Sequence, residues 1–218
     1  STRYYLKSLK AINLISYWWL TFTILTGIWE SYFIYFYDNV SCYSKELLFD
    51  NKHVWNTKYP INYLMPHKFS YIFYSEYAAY ADREYMVLTN KWSRTIEGTH
   101  EVFCGVAAFF ALLCYISLYI NKKNEKNKKN EKNEINEINI NKIGKNYYIL
   151  LGVSMGSQLL NSVLYMAEYY IQTNDKYNVN YNTTSFPTGK YLIKRPFMYV
   201  NIFWTIMPMF VLIQQIKK

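Results

Sequence analysis

Cysteine, glycine and proline are all scarce in this 218-residue chain, with 3, 7 and 5 copies respectively. Three cysteines (Cys42, Cys104, Cys114) without paired metal-ligand spacing exclude a disulfide scaffold and give no zinc site to expect. So few Gly and Pro leave no pair of broken helices in matching halves, which excludes the pattern of a secondary transporter. A basic face on a folded module is missing too. The net charge of +9 comes largely from a Lys-rich tract and the two ends, so nucleic-acid binding is not expected. Nor is a cleaved signal peptide, because the first apolar run contains Glu30 and is too long for a signal core.

What is abundant is aromatic. Tyr, Phe and Trp make up 20% of the chain, with 25, 13 and 6 copies, and these residues favour membrane interfaces and apolar pockets. The mean hydropathy of −0.16 hides the pattern, because polarity is concentrated in the 121–146 tract and in the stretches 38–70 and 172–195. Between them lie four apolar runs: 11–37, the stretch entered at Thr95 and uncharged over the 19 residues Val102–Ile120, 147–171 and 196–213. Each approaches the ~20 residues that cross a ~30 Å hydrocarbon core.

The expected fold is therefore all-α, a polytopic membrane bundle of about four transmembrane helices enclosing a polar-lined cavity, in a single domain over 1–218. Asn/Lys/Glu repeats across 121–146 cannot bury a core and are expected to form a disordered insert. Lys and Arg are denser on the side of the two termini and this tract, which predicts cytoplasmic termini. The acceptor motifs beginning at Asn39 and Asn182 then fall on the opposite side.

Polar residues inside membrane helices are costly and mark functional sites by default. Glu30 lies deep in the first run with Thr26 one turn earlier, and Glu97 and His100 lie one turn apart at the start of the second. Gln158, Asn161 or Ser162, Tyr165 and Glu168 follow at offsets of three and four in the third, a stripe facing other helices. Asn201 and Trp204 do the same in the fourth. Water-exposed helix starts or structural inter-helix hydrogen bonds would account for the same acids without function.

The order of Ile28, Trp29 and Glu30, then Glu76 and Asp82 to Tyr85, then Glu97, then Gln158 to Glu168, then Asn201, Trp204 and Pro208 resembles the emopamil-binding protein family. These are the sterol Δ8-Δ7 isomerases of the EXPERA superfamily, and the likeness covers about residues 15–120 and 147–213. The resemblance implies an endoplasmic reticulum enzyme, with the mitochondrial inner membrane as the alternative location. It implies a shift of a sterol ring double bond by protonation and deprotonation, with no cofactor and no metal. It also implies cationic amphiphilic amines as inhibitors; a homodimer or a subunit of a membrane complex is the assembly to expect. The resemblance matches the family's two acids to Glu30 and Glu97, its Asn to Asn201 and its Trp to Trp204; with the polar residues beside them, the catalytic candidates are Glu30, Glu97, His100 and Asn201, and the candidate substrate contacts Thr26, Tyr165 and Trp204. A buried carboxylic acid can deliver a proton to carbon, and an indole face steadies the resulting cation. The chain departs from the family in having Thr26 where a His is usual, His100 where a Thr is usual, and one extra residue between Asp82 and Glu97. A non-catalytic lipid-binding relative and an accessory subunit of a larger membrane complex are the competing expectations.

Overall fold

A computed structural model describes residues 14–86, 92–127, 134–171 and 193–216. They are all-helical, with no strand among them. The helices are α1 (Leu14–Tyr35), α2 (Tyr37–Phe49), α3 (Pro66–Glu76), α4 (Gly98–Asn127), α5 (Glu134–Ile171) and α6 (Pro196–Ile216). Short 3-10 turns at Val54–Asn56, Ile61–Leu64 and Arg83–Met86 and π turns at Tyr77–Ala81 and Trp92–Glu97 join them. Pro66 and Pro196 each open a helix, where the missing N–H costs nothing.

Three stretches, Arg94–Asn121, Ile140–Glu168 and Phe197–Gln215, are long and apolar enough to cross a membrane. The first apolar run is a 22-residue helix, yet it is not among them. Its Tyr, Trp and Thr residues and Glu30 dilute its apolarity, and its length alone does not place it in a bilayer. Along α4, Phe103, Val106, Phe109, Phe110, Leu113, Ile116 and Ile120 are all exposed, an apolar stripe suited to lipid.

Packing runs in sequence: α1 on α4, α4 on α5, α5 on α6. Small residues allow the first contact. The Cα of Gly105 would lie 3.0 Å from a Cβ added at Gly27, so the two backbones meet there. Buried Ala108 and Ala111 continue the same face toward Trp19, Leu20, Tyr147, Leu151 and Met155. α1 and α6 are joined through side chains, with Trp204 5.1 Å from Trp19 and 5.3 Å from Phe22 between ring centroids, and Ser16 donating to Gln214 at 2.9 Å.

Outside this bundle, α2, α3 and the short turns form a second layer around two clusters. One holds Phe33, Tyr37, Val40, Tyr74, Ala78 and Tyr85, and the other Leu47, Val54, Ile72 and Ala79. The polar stretch 38–70 is thus largely helical. Residues 121–127 and 134–146, at the ends of the tract expected to be disordered, are helical, while 128–133 lie outside the described residues. Lys and Glu are good helix formers, and helices already nucleated in α4 and α5 extend into them at little cost. The acceptor motif at Asn39 lies within α2, and its Ser41 is buried with its hydroxyl bonded to the Met86 carbonyl. The Asn182 motif lies outside the described residues.

A buried carboxyl cluster as the candidate functional site

The polar centre of the bundle is a residue that sequence spacing left at the helix mouth. Glu101, one turn after Glu97 on α4, is 9% exposed. Its Oε1 accepts hydrogen bonds from Thr26 Oγ1 of α1 at 2.9 Å and Gln158 Nε2 of α5 at 3.1 Å, and a long one from Trp204 Nε1 of α6 at 3.4 Å. Gln158 is itself fixed by Trp19, whose Nε1 donates to its Oε1 at 3.0 Å. One carboxylate oxygen therefore gathers donors from three other helices. His100 completes the centre, with Nδ1 3.8 Å from Glu101 Oε2 and Nε2 3.3 Å from Cys104 Sγ.

Glu30 and Glu97, both 7% exposed, lie beside this centre. Glu30 Oε1 accepts from the Tyr74 hydroxyl of α3, and its Oε2 would be 3.3 Å from a Cβ at Gly98, so α4 has no side chain where this carboxyl sits. Glu97 faces the second layer, close enough to act electrostatically on Tyr77 and Tyr85. Burial first, and then nearby carboxyls, push the hydroxyls of Tyr74, Tyr77 and Tyr85 well above the usual range. The neighbour after burial is Glu30 for Tyr74, Asp82 for Tyr77 and Glu97 for Tyr85. All three stay protonated, and the Tyr74 hydroxyl donates to Glu30.

The structure therefore divides the expected site residues. Thr26, His100 and Trp204 meet at Glu101, and Glu30 and Glu97 flank it. Tyr165 belongs elsewhere, in a chain in which Tyr77 and Tyr165 hydroxyls lie 3.1 Å apart and Tyr165 donates to Asp82. Asn201 bonds within its own helix, its Nδ2 donating to the Phe197 carbonyl at 3.1 Å. An amide can bond the carbonyl one turn earlier in its own helix, which spacing could not reveal. Sequence alone gave no site role to Glu101 or Tyr74, and named Asp82 only as part of the family resemblance. The available signal was the four-residue interval joining Glu97, Glu101 and Gly105, one stripe running through the closest helix contact.

Donor atoms of His100, Glu101 and Cys104 lie within 4.8 Å of one another and are the group, among the described residues, that could hold a metal ion. Counting cysteines alone hides this N, O, S set, which a single helix turn assembles. Two clefts open elsewhere. One of about 660 Å³ is lined by Tyr43, Glu46 and His53, among others, and one of about 270 Å³ by Trp55, Tyr77 and Phe197, among others. Neither is lined by Glu30, Glu97 or Glu101, which helix packing covers. Compared with protein-family models, characterised proteins and solved structures, the chain matches none of them.

Proposed function

We propose that the chain is a membrane-embedded isomerase that moves a ring double bond in a sterol or similarly rigid lipid, by adding a proton at one carbon and removing one from another. The observation that carries this reading is the pairing of Glu30 and Glu101, two buried carboxyls near where α1 and α4 meet, with a third buried carboxyl, Glu97, at the entry to α4. A carboxyl held by Tyr74 can deliver its proton to the alkene. The tertiary cation so formed loses a ring proton to a second carboxylate, of which Glu101 is the best positioned by its Thr26, Gln158 and Trp204 donors. The Trp204 indole, packed against Trp19 and Phe22, offers its face to the cation, an interaction of about 2 kcal/mol when desolvated.

In this reading α1 is a fourth span, its polar residues tolerated because Thr26, Glu30 and Trp19 face α4 and α5. Substrate enters between α1 and α6, which touch through rings that can part. The π turn at Trp92–Glu97 takes up one residue more than an α turn, which accommodates the extra residue before Glu97 relative to the emopamil-binding protein family. The endoplasmic reticulum with cytoplasmic termini is the matching location, and amphiphilic amines that imitate the cation are the matching inhibitors.

Microsomes carrying the chain, given a Δ8-sterol in deuterated water, are expected to yield the Δ7 isomer with one solvent deuteron on carbon. Glu30→Gln and Glu101→Gln should yield none. Absence of product from the unaltered chain rejects the proposal. One observation favours a second reading, a lipid-binding or accessory membrane protein without turnover: the three acids are covered, and the clefts lie away from them. Saturable sterol binding without deuterium incorporation would identify it.

A further inference from the structure

The cleft of about 270 Å³ lies where the Phe197–Gln215 span begins, between the start of α6 and the outer layer. Trp55, Phe73, Tyr77, Tyr80 and Phe197 form its walls, and Glu76 and Arg195 bring its charges. The walls are anchored before any ligand arrives. The His53 ring stacks on Tyr80 at 4.1 Å and holds Glu76 Oε1 at 2.6 Å through Nδ1, while the Val54 N–H donates to Glu76 Oε2 at 3.0 Å. The Tyr80 hydroxyl is tied to the carbonyls of Leu47 and Lys52, and that of Tyr77 to Tyr165. The Arg195 guanidinium lies 4.1 Å from the Phe197 ring centroid and donates to the Ala81 carbonyl.

Chemistry and depth together select the occupant. Aromatic faces around an anchored carboxylate attract a quaternary ammonium, and a guanidinium suits a phosphate. The cleft opens at the first residue of a span, the level of lipid headgroups, where one molecule carries both groups side by side. Exposed Ile61, Leu64 and Met65, in the same outer layer, add apolar surface for that interface. We infer that this cleft binds the phosphocholine headgroup of a membrane phospholipid, with the ammonium against Trp55, Tyr80 and Glu76 and the phosphate at Arg195. The site shares no residue with the Glu101 centre and stands whether or not that centre is an isomerase.

The test uses the full chain in nanodiscs of equal phosphatidylcholine, phosphatidylethanolamine and phosphatidylglycerol, with retained lipid identified by native mass spectrometry. Phosphatidylcholine should be retained roughly thirtyfold over phosphatidylglycerol, which has no cation, the preference one desolvated cation–π contact supplies, and less strongly over phosphatidylethanolamine, whose smaller ammonium keeps more of its water. Trp55 is 60% exposed, so Trp55→Ala should abolish the preference without changing the melting temperature. In the unaltered chain, a headgroup-diazirine phosphatidylcholine should crosslink to cleft residues, which keeps the proposal testable if variants fail to fold. No headgroup preference, a preference for phosphatidylglycerol, retention of the preference in Trp55→Ala, or crosslinks outside the cleft would each overturn the inference. Displacement of the lipid by free phosphocholine would replace a membrane ligand with a water-borne one and overturn it as well.

Discussion

Gly27→Ala tests whether the contact that assembles the carboxyl cluster is as close as the structure makes it. A Cβ at position 27 would lie 3.0 Å from the Gly105 Cα and 3.1 Å from the Glu101 carbonyl oxygen. Both are backbone atoms, so no rotamer change relieves the clash. α1 must instead move away from α4 by roughly 0.5 Å to restore ordinary contact distances. Overpacking of this kind costs about 1–3 kcal/mol. Alanine also favours a helix over glycine by about 1 kcal/mol, which partly masks the loss. Gly152→Ala removes that ambiguity, because a Cβ there meets nothing within 4 Å while the helix preference is gained equally. The difference between the two variants isolates the crossing. Thermal unfolding in detergent, followed by tryptophan fluorescence, should place Gly27→Ala about 1–3 kcal/mol below Gly152→Ala. Gly105→Ala should behave like Gly27→Ala, its Cβ being 3.0 Å from the Gly27 Cα, and the double variant should cost less than the two together because the helices have already parted. If Gly27→Ala and Gly152→Ala unfold together, the helices do not touch here, and the grouping of Thr26 with Glu101 loses its basis.

Other outcomes follow from the hydrogen bonds. Gln158→Leu should destabilise the chain by about 1–3 kcal/mol, because it leaves the Trp19 indole N–H and part of the Glu101 carboxyl without partners, whereas Ser157→Leu at the half-buried neighbouring position should cost less. Unfolding of the two variants side by side measures this. Tyr74→Phe removes the donor to buried Glu30 and should cost about 1–3 kcal/mol, and on the isomerase reading it should also suppress deuterium incorporation into sterol more than Tyr77→Phe does. Cys42 is exposed in α2, while Cys104 is buried and Cys114 half-buried in α4. In sealed microsomes an impermeant maleimide should therefore leave the chain unlabelled until detergent opens the vesicles, and labelling before that would reverse the proposed orientation.

The helical class and the three helices able to span a bilayer were legible in sequence because a bilayer imposes a length, and runs such as Val102–Ile120 meet it with no charge. Gln158 was legible as part of an inward stripe, since a polar residue in lipid is costly on any other face. Glu101 was not. In a regular helix it lies only about 40° around the axis from Glu97, so spacing alone cannot say which acid meets which neighbour. The π turn ending at Glu97 and the contact of Gly27 with Gly105 decide it, setting Glu101 toward Thr26, Gln158 and Trp204 and leaving Glu97 with Tyr77 and Tyr85. The outer layer shows the same division. Tyrosines at 74, 77 and 80 advertise an interface by composition, yet which hydroxyl reaches Glu30, Tyr165 or the Lys52 carbonyl depends on packing between segments far apart in the chain. Composition and periodicity act locally and so determined which helices form and which faces turn inward. The pairing of donors with acceptors needs the rotation and approach of whole helices, and only the tertiary structure decided that.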